Sequence, residues 1–220
     1  MMLPTLDDDR VVTRVRGGDR GLFEVLMRRY NQRIYRAVRS FLRDEAEVED
    51  VMQQTYLRAF LHLDQLAETA KVSAWLVRIA IHLAIDRVRQ RRRLAESELG
   101  GDDLPAGKGD EMRSPEAELS DRELARFLEA ALEDLPELYR VVFLLREIEG
   151  MSTEEVATAL DVSDSVVKVR LHRAKDRLKK GLLARAGRAA PDVFAFRVPR
   201  CDRVVAAVLG RIAMLDPPEE

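Results

Sequence analysis

The chain has 220 residues, enough for one large or two small domains, and an apolar fraction of 46%, ordinary for a folded protein. Its one cysteine, Cys201, excludes an intrachain disulfide and a cysteine-rich metal site, and His62, His82 and His172 lack metal-ligand spacing. The net charge of −2 hides a segregation: net +5 over 1–93, −9 over 94–135, +3 over 136–190 and −1 over 191–220.

Aromatics are only 5%, while Ala, Leu, Val, Arg and Glu abound, and no run of alternating β-branched residues occurs. The expected fold is all-α, two helical domains joined by an acidic flexible linker. The N-terminus, M-M-L-P-T-L-D-D-D-R, has neither the cationic start nor the apolar core of a signal peptide, and no apolar run approaches membrane-spanning length. A cytoplasmic protein without membrane insertion is expected.

The first helix should cover about Asp7–Arg16 and stop at Gly17-Gly18. Asp19 should cap a long second helix, with Leu22, Leu26, Tyr30, Ile34, Val38 and Phe41 at helical spacing. A third covers about Asp44–Leu63, and a fourth starts at Ser73 and runs through Trp75, Leu76 and Ile79 into Arg87–Arg93. On that fourth helix Arg78, His82, Arg89 and Arg93 fall within an arc of about 60°, with Trp75 at its edge. A cationic stripe beside an aromatic suits single-stranded or melted DNA, where phosphates need Lys or Arg and unstacked bases need a flat π-surface. A core tryptophan beside a solvated arginine face is the plainer reading.

Residues 94–119 are rich in Gly, Asp, Glu, Ser and Pro and read as a linker. A C-terminal domain, 120–190, opens with a Ser120/Glu123 capping box on a helix that ends near Asp134. Pro136 suits the first turn of the next helix, which stops at Gly150. A second capping box, Ser152 with Glu155, starts a short helix with Val156, Ala157 and Leu160 on its buried edge. Asp161-Val162 breaks it and Ser163 caps the next helix, whose Val167, Leu171, Ala174 and Leu178 lie within about 60°. This is a helix-turn-helix, a device for laying a helix in the major groove. Its outer face mixes residue types that read bases, Ser165, Lys168, Val169 and His172, with phosphate-binding Arg170, Arg173 and Lys179. Most such turns place Gly where this chain has Asp161, which visits positive φ less easily. A solvated basic face is again the plainer alternative. Residues 191–220 form a tail whose piece Cys201–Leu215 is amphipathic and is expected to pack back on the C-terminal module, a regulatory arm or a contact for another protein being the alternative.

Taken together, four stretches resemble the extracytoplasmic-function group of bacterial RNA polymerase sigma factors. G-D-R-G-L-F-E-V-L at 18–26 is similar to the group's opening motif, and D-V-M-Q-Q-T-Y-L-R-A-F at 50–60 to its core-polymerase-binding helix. S-A-W-L-V-R-I-A-I-H-L-A-I-D-R-V-R-Q-R-R-R at 73–93 resembles its −10-element helix; L-P-E-L-Y-R-V-V-F-L-L at 135–145, with the helix-turn-helix, resembles its −35 domain. The resemblance implies an initiation subunit, not an enzyme, with no cofactor or metal. Its partners would be core RNA polymerase and promoter DNA, with room for an anti-sigma factor, and its setting a stress or envelope response.

It divides the chain into region 2 (1–93), linker (94–119), region 4 (120–190) and tail (191–220). It places Asp50, Gln53 and Gln54 against polymerase, Trp75, Arg78, His82, Arg89 and Arg93 at the −10 element, and the outer helix-turn-helix face at the −35 element. The loop at 63–72 would take a flipped base, and the acidic linker would thread toward the polymerase active-site and RNA-exit path. Two residues depart from the pattern: His82 stands where Asn is usual, and Gln54 where an acid is common. A one-component regulator would need a ligand-binding N-terminal domain, and an adaptor would not need two basic modules. An enzyme would need a metal cluster, a nucleophile–base pair or a Gly-rich phosphate loop, and the sequence offers none of these.

Overall fold

The computed structural model describes residues 6–67, 70–98, 128–178 and 198–214. Among them every regular element is helical. Helix α1 is Asp8–Arg16, capped by Asp7, whose carboxylate accepts from the Arg10 N–H at 2.9 Å. Gly17 and Gly18 end it, Gly18 at φ 100°, a conformation open to glycine. A 3-10 turn, Arg20–Leu22, then leads into α2, Phe23–Arg39. Asp19 makes no cap bond there; Arg14 holds its carboxylate at 2.6 Å instead.

Helix α3, Glu45–Leu61, is capped by Asp44 and ends in a 3-10 turn at Leu63–Gln65. Helix α4 runs Val72–Glu98, starting one residue before the expected Ser73. Helices α2, α3 and α4 pack on one another around Phe23, Leu26, Met52, Tyr56 and Leu76, all fully buried. Phe23 stands edge-on to Tyr56 (6.4 Å between ring centroids) and Phe60 (5.4 Å), geometries that aromatic quadrupoles favour. The Tyr56 hydroxyl donates to the Met27 carbonyl at 3.2 Å, and burial drives its pKa well up.

The linker 94–119, the Ser120/Glu123 box, Glu68 and Lys179 lie outside the described residues or, for 94–98, outside the described side chains. The C-terminal module is described from a helical segment at 128–133, followed by α5, Glu137–Phe143, which widens into a π turn at Leu144–Ile148. Gly150, at φ 66°, turns the chain into α6, Thr153–Leu160, and α7, Asp164–Arg177, completes the pair.

The modules pack directly together: α4 lies on α6, and α2 meets the π turn. The tail helix, α8 (Val198–Ala213), departs from expectation. It packs on α2 and α3, burying Val204, Val205, Val208 and Ile212 there, not on the C-terminal module. Burying each such side chain contributes roughly 1.5–3 kcal/mol. Ion pairs flank that apolar seat: Asp202 pairs with Arg28 at 2.8 Å and Arg203 with Glu49 at 2.8 Å, and Arg200 reaches Glu45. No helix among the described residues is long and apolar enough to cross a membrane.

Candidate nucleic-acid interface

The helix-turn-helix is built by local chemistry. Ser152 Oγ accepts from the Glu155 N–H (3.1 Å) while Glu155 Oε2 accepts from the Ser152 N–H (2.6 Å), so two orphan donors of α6 are satisfied reciprocally. Burial would raise the Glu155 pKa, but the hydrogen bonds from Ser152 and Lys71 outweigh it and hold the carboxyl below its ordinary value. Helix α6 ends in a Schellman motif: the Val162 N–H reaches the Ala157 carbonyl (3.0 Å) and the Asp161 N–H the Thr158 carbonyl (3.4 Å). Asp161 sits at φ 55°, ψ 48°, the left-handed conformation that the missing glycine would have taken freely. Ser163 occupies the cap position of α7 but makes no cap bond, its Oγ lying 2.8 Å from Ser165 Oγ.

On α7, Val167, Ala174 and Leu178 are buried and Leu171 packs beside them, as the spacing predicts. Ala159 of α6 is buried too, a position the spacing argument missed. Ser165, Lys168, Val169, His172 and Arg173 are exposed on one surface, with Arg170 half-buried among them. His172 Nε2 lies 3.1 Å from Asp176 Oδ2 one turn on. Arg173 donates to the Tyr139 hydroxyl at 3.2 Å, and the Arg177 guanidinium stands 5.5 Å over the Tyr139 ring. Arg173, with Arg177 and Arg170 nearby, lowers the Tyr139 pKa. Tyr139 was not anticipated from sequence. With Leu138, Ser165, Val169, Arg170 and Arg173 it lines a shallow cleft, an apolar floor ringed by cations. Exposed Val169 and Leu138 there suit a thymine methyl as well as they suit solvent exclusion.

Helix α4 carries the second group. His82, Arg89 and Arg93 are exposed; Arg89 has Asp86 at 3.8 Å. Trp75, expected as an exposed aromatic, is only half exposed: it packs against the core and borders a crevice shared with Ser152, Glu154, Glu155 and Thr158 of the other module. Arg78 also lines that crevice and lies 3.8 Å from Asp161, with which it borders a neighbouring cleft. The loop before α4 is held by Arg16 at the end of α1. Its guanidinium donates to the carbonyls of Leu63 and Leu66 at 2.7 Å each. Sequence periodicity carried no sign of that clamp.

On α3, Asp50 accepts from Gln54 Nε2 at 2.8 Å and pairs closely with Arg87 of α4. Gln53 is half-buried on the same helix. No group of acids, His and Cys suited to a metal ion occurs among the described residues.

Comparison with known proteins agrees in two places along the chain. The family description "Sigma-70 region 2" matches residues 26–94, and "Sigma-70, region 4" matches residues 127–178. The RNA polymerase sigma-H factor of Pseudomonas aeruginosa is 31% identical over 186 residues, covering 82% of this chain and 96% of the relative. The ECF RNA polymerase sigma factor SigW of Bacillus subtilis is 30% identical, covering 78% and 94%. The ECF RNA polymerase sigma-E factor of Escherichia coli is also 30% identical, covering 80% and 95%. The solved structure of CnrH in complex with the cytosolic domain of CnrY matches with a TM-score of 0.56 at 27% identity, over 80% of this chain and 97% of that one. RpoE of Bartonella quintana, solved with the anti-sigma factor NepR, shares the fold at a TM-score of 0.52 and 22% identity, over 69% of this chain and 89% of its own.

Proposed function

The chain belongs to the extracytoplasmic-function group of RNA polymerase sigma factors, and from that membership we propose that it seats core polymerase at promoters by reading two elements and helping to open the duplex between them. Residues 120–190 read the −35 element as double helix. Ser165, Lys168, Val169 and His172 meet base edges, while Arg170, Arg173 and Lys179 meet phosphates. Residues 1–93 hold polymerase through Asp50, Gln53 and Gln54 and hold the melted −10 strand through Trp75, Arg78, His82, Arg89 and Arg93. The flipped base goes to the loop that Arg16 clamps. His82 replaces the usual Asn with a donor that can also stack, so the preferred −10 sequence shifts.

The observation that carries this reading is the outer face of α7, four exposed residues of base-reading type backed by arginines, on a helix-turn-helix whose first helix and turn are closed by hydrogen bonds. That CnrH was solved with the cytosolic domain of CnrY supports a protein partner for this chain as well. The test is permanganate reactivity of thymines on promoter fragments selected with reconstituted polymerase. Core plus this chain should open a short bubble near the start site, and core alone should not. Equal reactivity in both would overturn the reading.

A further inference from the structure

The tail helix α8 covers the helix that carries the candidate polymerase contacts. Its ion pairs advance in step with α3: Arg200 reaches Glu45, and Arg203 pairs with Glu49 at 2.8 Å. Along α2 they run the other way, with Cys201 at Asn31 and Asp202 at Arg28. The helix therefore sits in the groove between α2 and α3 and heads along α3 toward Gln53. Glu45, Glu49 and Gln53 stand four residues apart and share one stripe of α3. Asp50 and Gln54 lie round the helix from that stripe, on the side of Arg87 and α4. The apolar edge of α8, Val204, Val205, Val208 and Ile212, is buried in the groove, no residue of it more than 3% exposed.

The contact has the character of a removable one. Asp202 and Arg203 stay exposed, and ion pairs of that kind are weak and screened by salt. Gly210 lies inside the helix where a Cβ would meet open space, so no neighbour requires a glycine there and it weakens the helix. Beneath Cys201, Asn31 is 2% exposed. Its amide nitrogen donates to the Cys201 sulfur at 2.8 Å, a weak acceptor, and its Oδ1 has no hydrogen-bond partner. With α8 seated, a buried acceptor is left unsatisfied. The groove suits a helix with one apolar edge, cations for Glu45 and Glu49, and a donor for Asn31.

We propose that this groove is part of the surface on which core polymerase docks, and that α8 is its resident competitor, which core must displace. The inference rests on the reading of Asp50, Gln53 and Gln54 as polymerase contacts. A polymerase segment of the same character as α8 takes its place along Glu45, Glu49 and Gln53 and donates to Asn31. While α8 is seated, only the fraction of chains whose tail is off can bind core, and the apparent affinity falls by that fraction.

Cys201 is the one cysteine of the chain, so it can both report on the tail and pin it. Val204→Lys and Val208→Asp each put a charge into the apolar seat, with opposite changes of net charge. Neither residue has been placed against DNA or polymerase. In both variants of the full chain, folded by far-UV circular dichroism, Cys201 should react with Ellman's reagent about fivefold faster or more. Affinity for immobilised core polymerase, read by biolayer interferometry, should rise about tenfold or more. Asn31→Cys, oxidised with glutathione disulfide, should join Cys201 and pin α8. The pinned chain should bind core about tenfold more weakly, or worse, than the same chain reduced with dithiothreitol. A gain in one charge variant alone would be a plain charge effect and would overturn the proposal. So would a released thiol without a gain in affinity, unchanged reactivity and affinity in both folded variants, or equal binding by pinned and reduced chains. Asp50→Ala combined with Gln53→Ala tests the underlying reading by itself. If that double variant binds core more weakly and the tail variants do nothing, the competitor alone falls. If it binds core as wild type does, the reading of α3 as the polymerase face falls too.

Discussion

Arg140 offers the sharpest energetic test of how the C-terminal module is held. Its guanidinium is 5% exposed and donates to four backbone carbonyls: Leu132 (2.7 Å), Glu133 (2.7 Å), Leu135 (2.8 Å) and Ser40 (3.0 Å). Two of these belong to the last turn of the 128–133 helix, where the Leu132 carbonyl also accepts from the Leu135 N–H at 3.1 Å. Burial lowers the Arg140 pKa, the signature of a cation held out of water. Arg140→Met keeps the length and apolar stem but removes the guanidinium from all four carbonyls, of which Leu132 retains its bond from the Leu135 N–H. Hydrogen bonds to a charged group contribute about 1.5–3 kcal/mol each, so the gross loss is roughly 6–12 kcal/mol. Removing the charge also returns its desolvation cost of several kcal/mol, which leaves a net loss of about 3–5 kcal/mol. Urea unfolding followed at 222 nm should show it as a lower midpoint for the C-terminal module. Arg140→Lys, with three donors on one nitrogen, should recover only part. A loss under about 1 kcal/mol in Arg140→Met would refute the reasoning, because a charged donor to four carbonyls, three of them buried, cannot be removed so cheaply.

Three further outcomes follow from the site. Lys168→Ala should lower transcription from a −35-dependent promoter about tenfold, within the 1–3 kcal/mol of a base contact, with binding to core polymerase unchanged in a pull-down. At Asp161, substitution by Gly should leave thermal stability equal or higher, while Val, β-branched at positive φ, should cost about 1–2 kcal/mol by urea titration. The carboxyl of Glu155 is held below its ordinary 4.5, so its contribution is complete above about pH 4.5 and is lost as the pH falls through the folded-state value. The difference in melting temperature between wild type and Glu155→Gln should therefore be full at pH 6 and shrink as the pH is taken progressively below 4.5.

The elements that close by local rules were legible in the sequence. Asp7, Asp44 and the Ser152/Glu155 box cap the helices whose starts they mark, and Asp161 takes the left-handed turn that its position demanded. The core stripe of α7 followed from spacing alone, because a helix has a fixed angle per residue. What escaped are contacts between distant segments. Arg16 reaches carbonyls about fifty residues ahead, Arg140 reaches Ser40 one hundred residues back, and Glu149 meets Arg33 and Arg36 across more than a hundred. Such contacts have no period, and an arginine on a helix reads the same whether it faces water or a ring of carbonyls. Asp19 failed as a cap because Arg14, close by, competes for its carboxylate. Amphipathicity showed that α8 must bury one face but not which surface receives it. Near its start Arg200, Asp202 and Arg203 find Glu45, Arg28 and Glu49 on α3 and α2, pairings across 150 residues or more that no local pattern announces. The crevice at Trp75 escaped for the same reason: it is completed by a module eighty residues away.

The most direct test of the central claim is transcription from sheared chromosomal DNA with purified core polymerase, with and without this chain, mapping the 5′ ends of the products. The account predicts new start sites that share two sequence elements at fixed spacing upstream and that disappear with the Trp75→Ala variant. A set of start sites identical to that of core polymerase alone would contradict it.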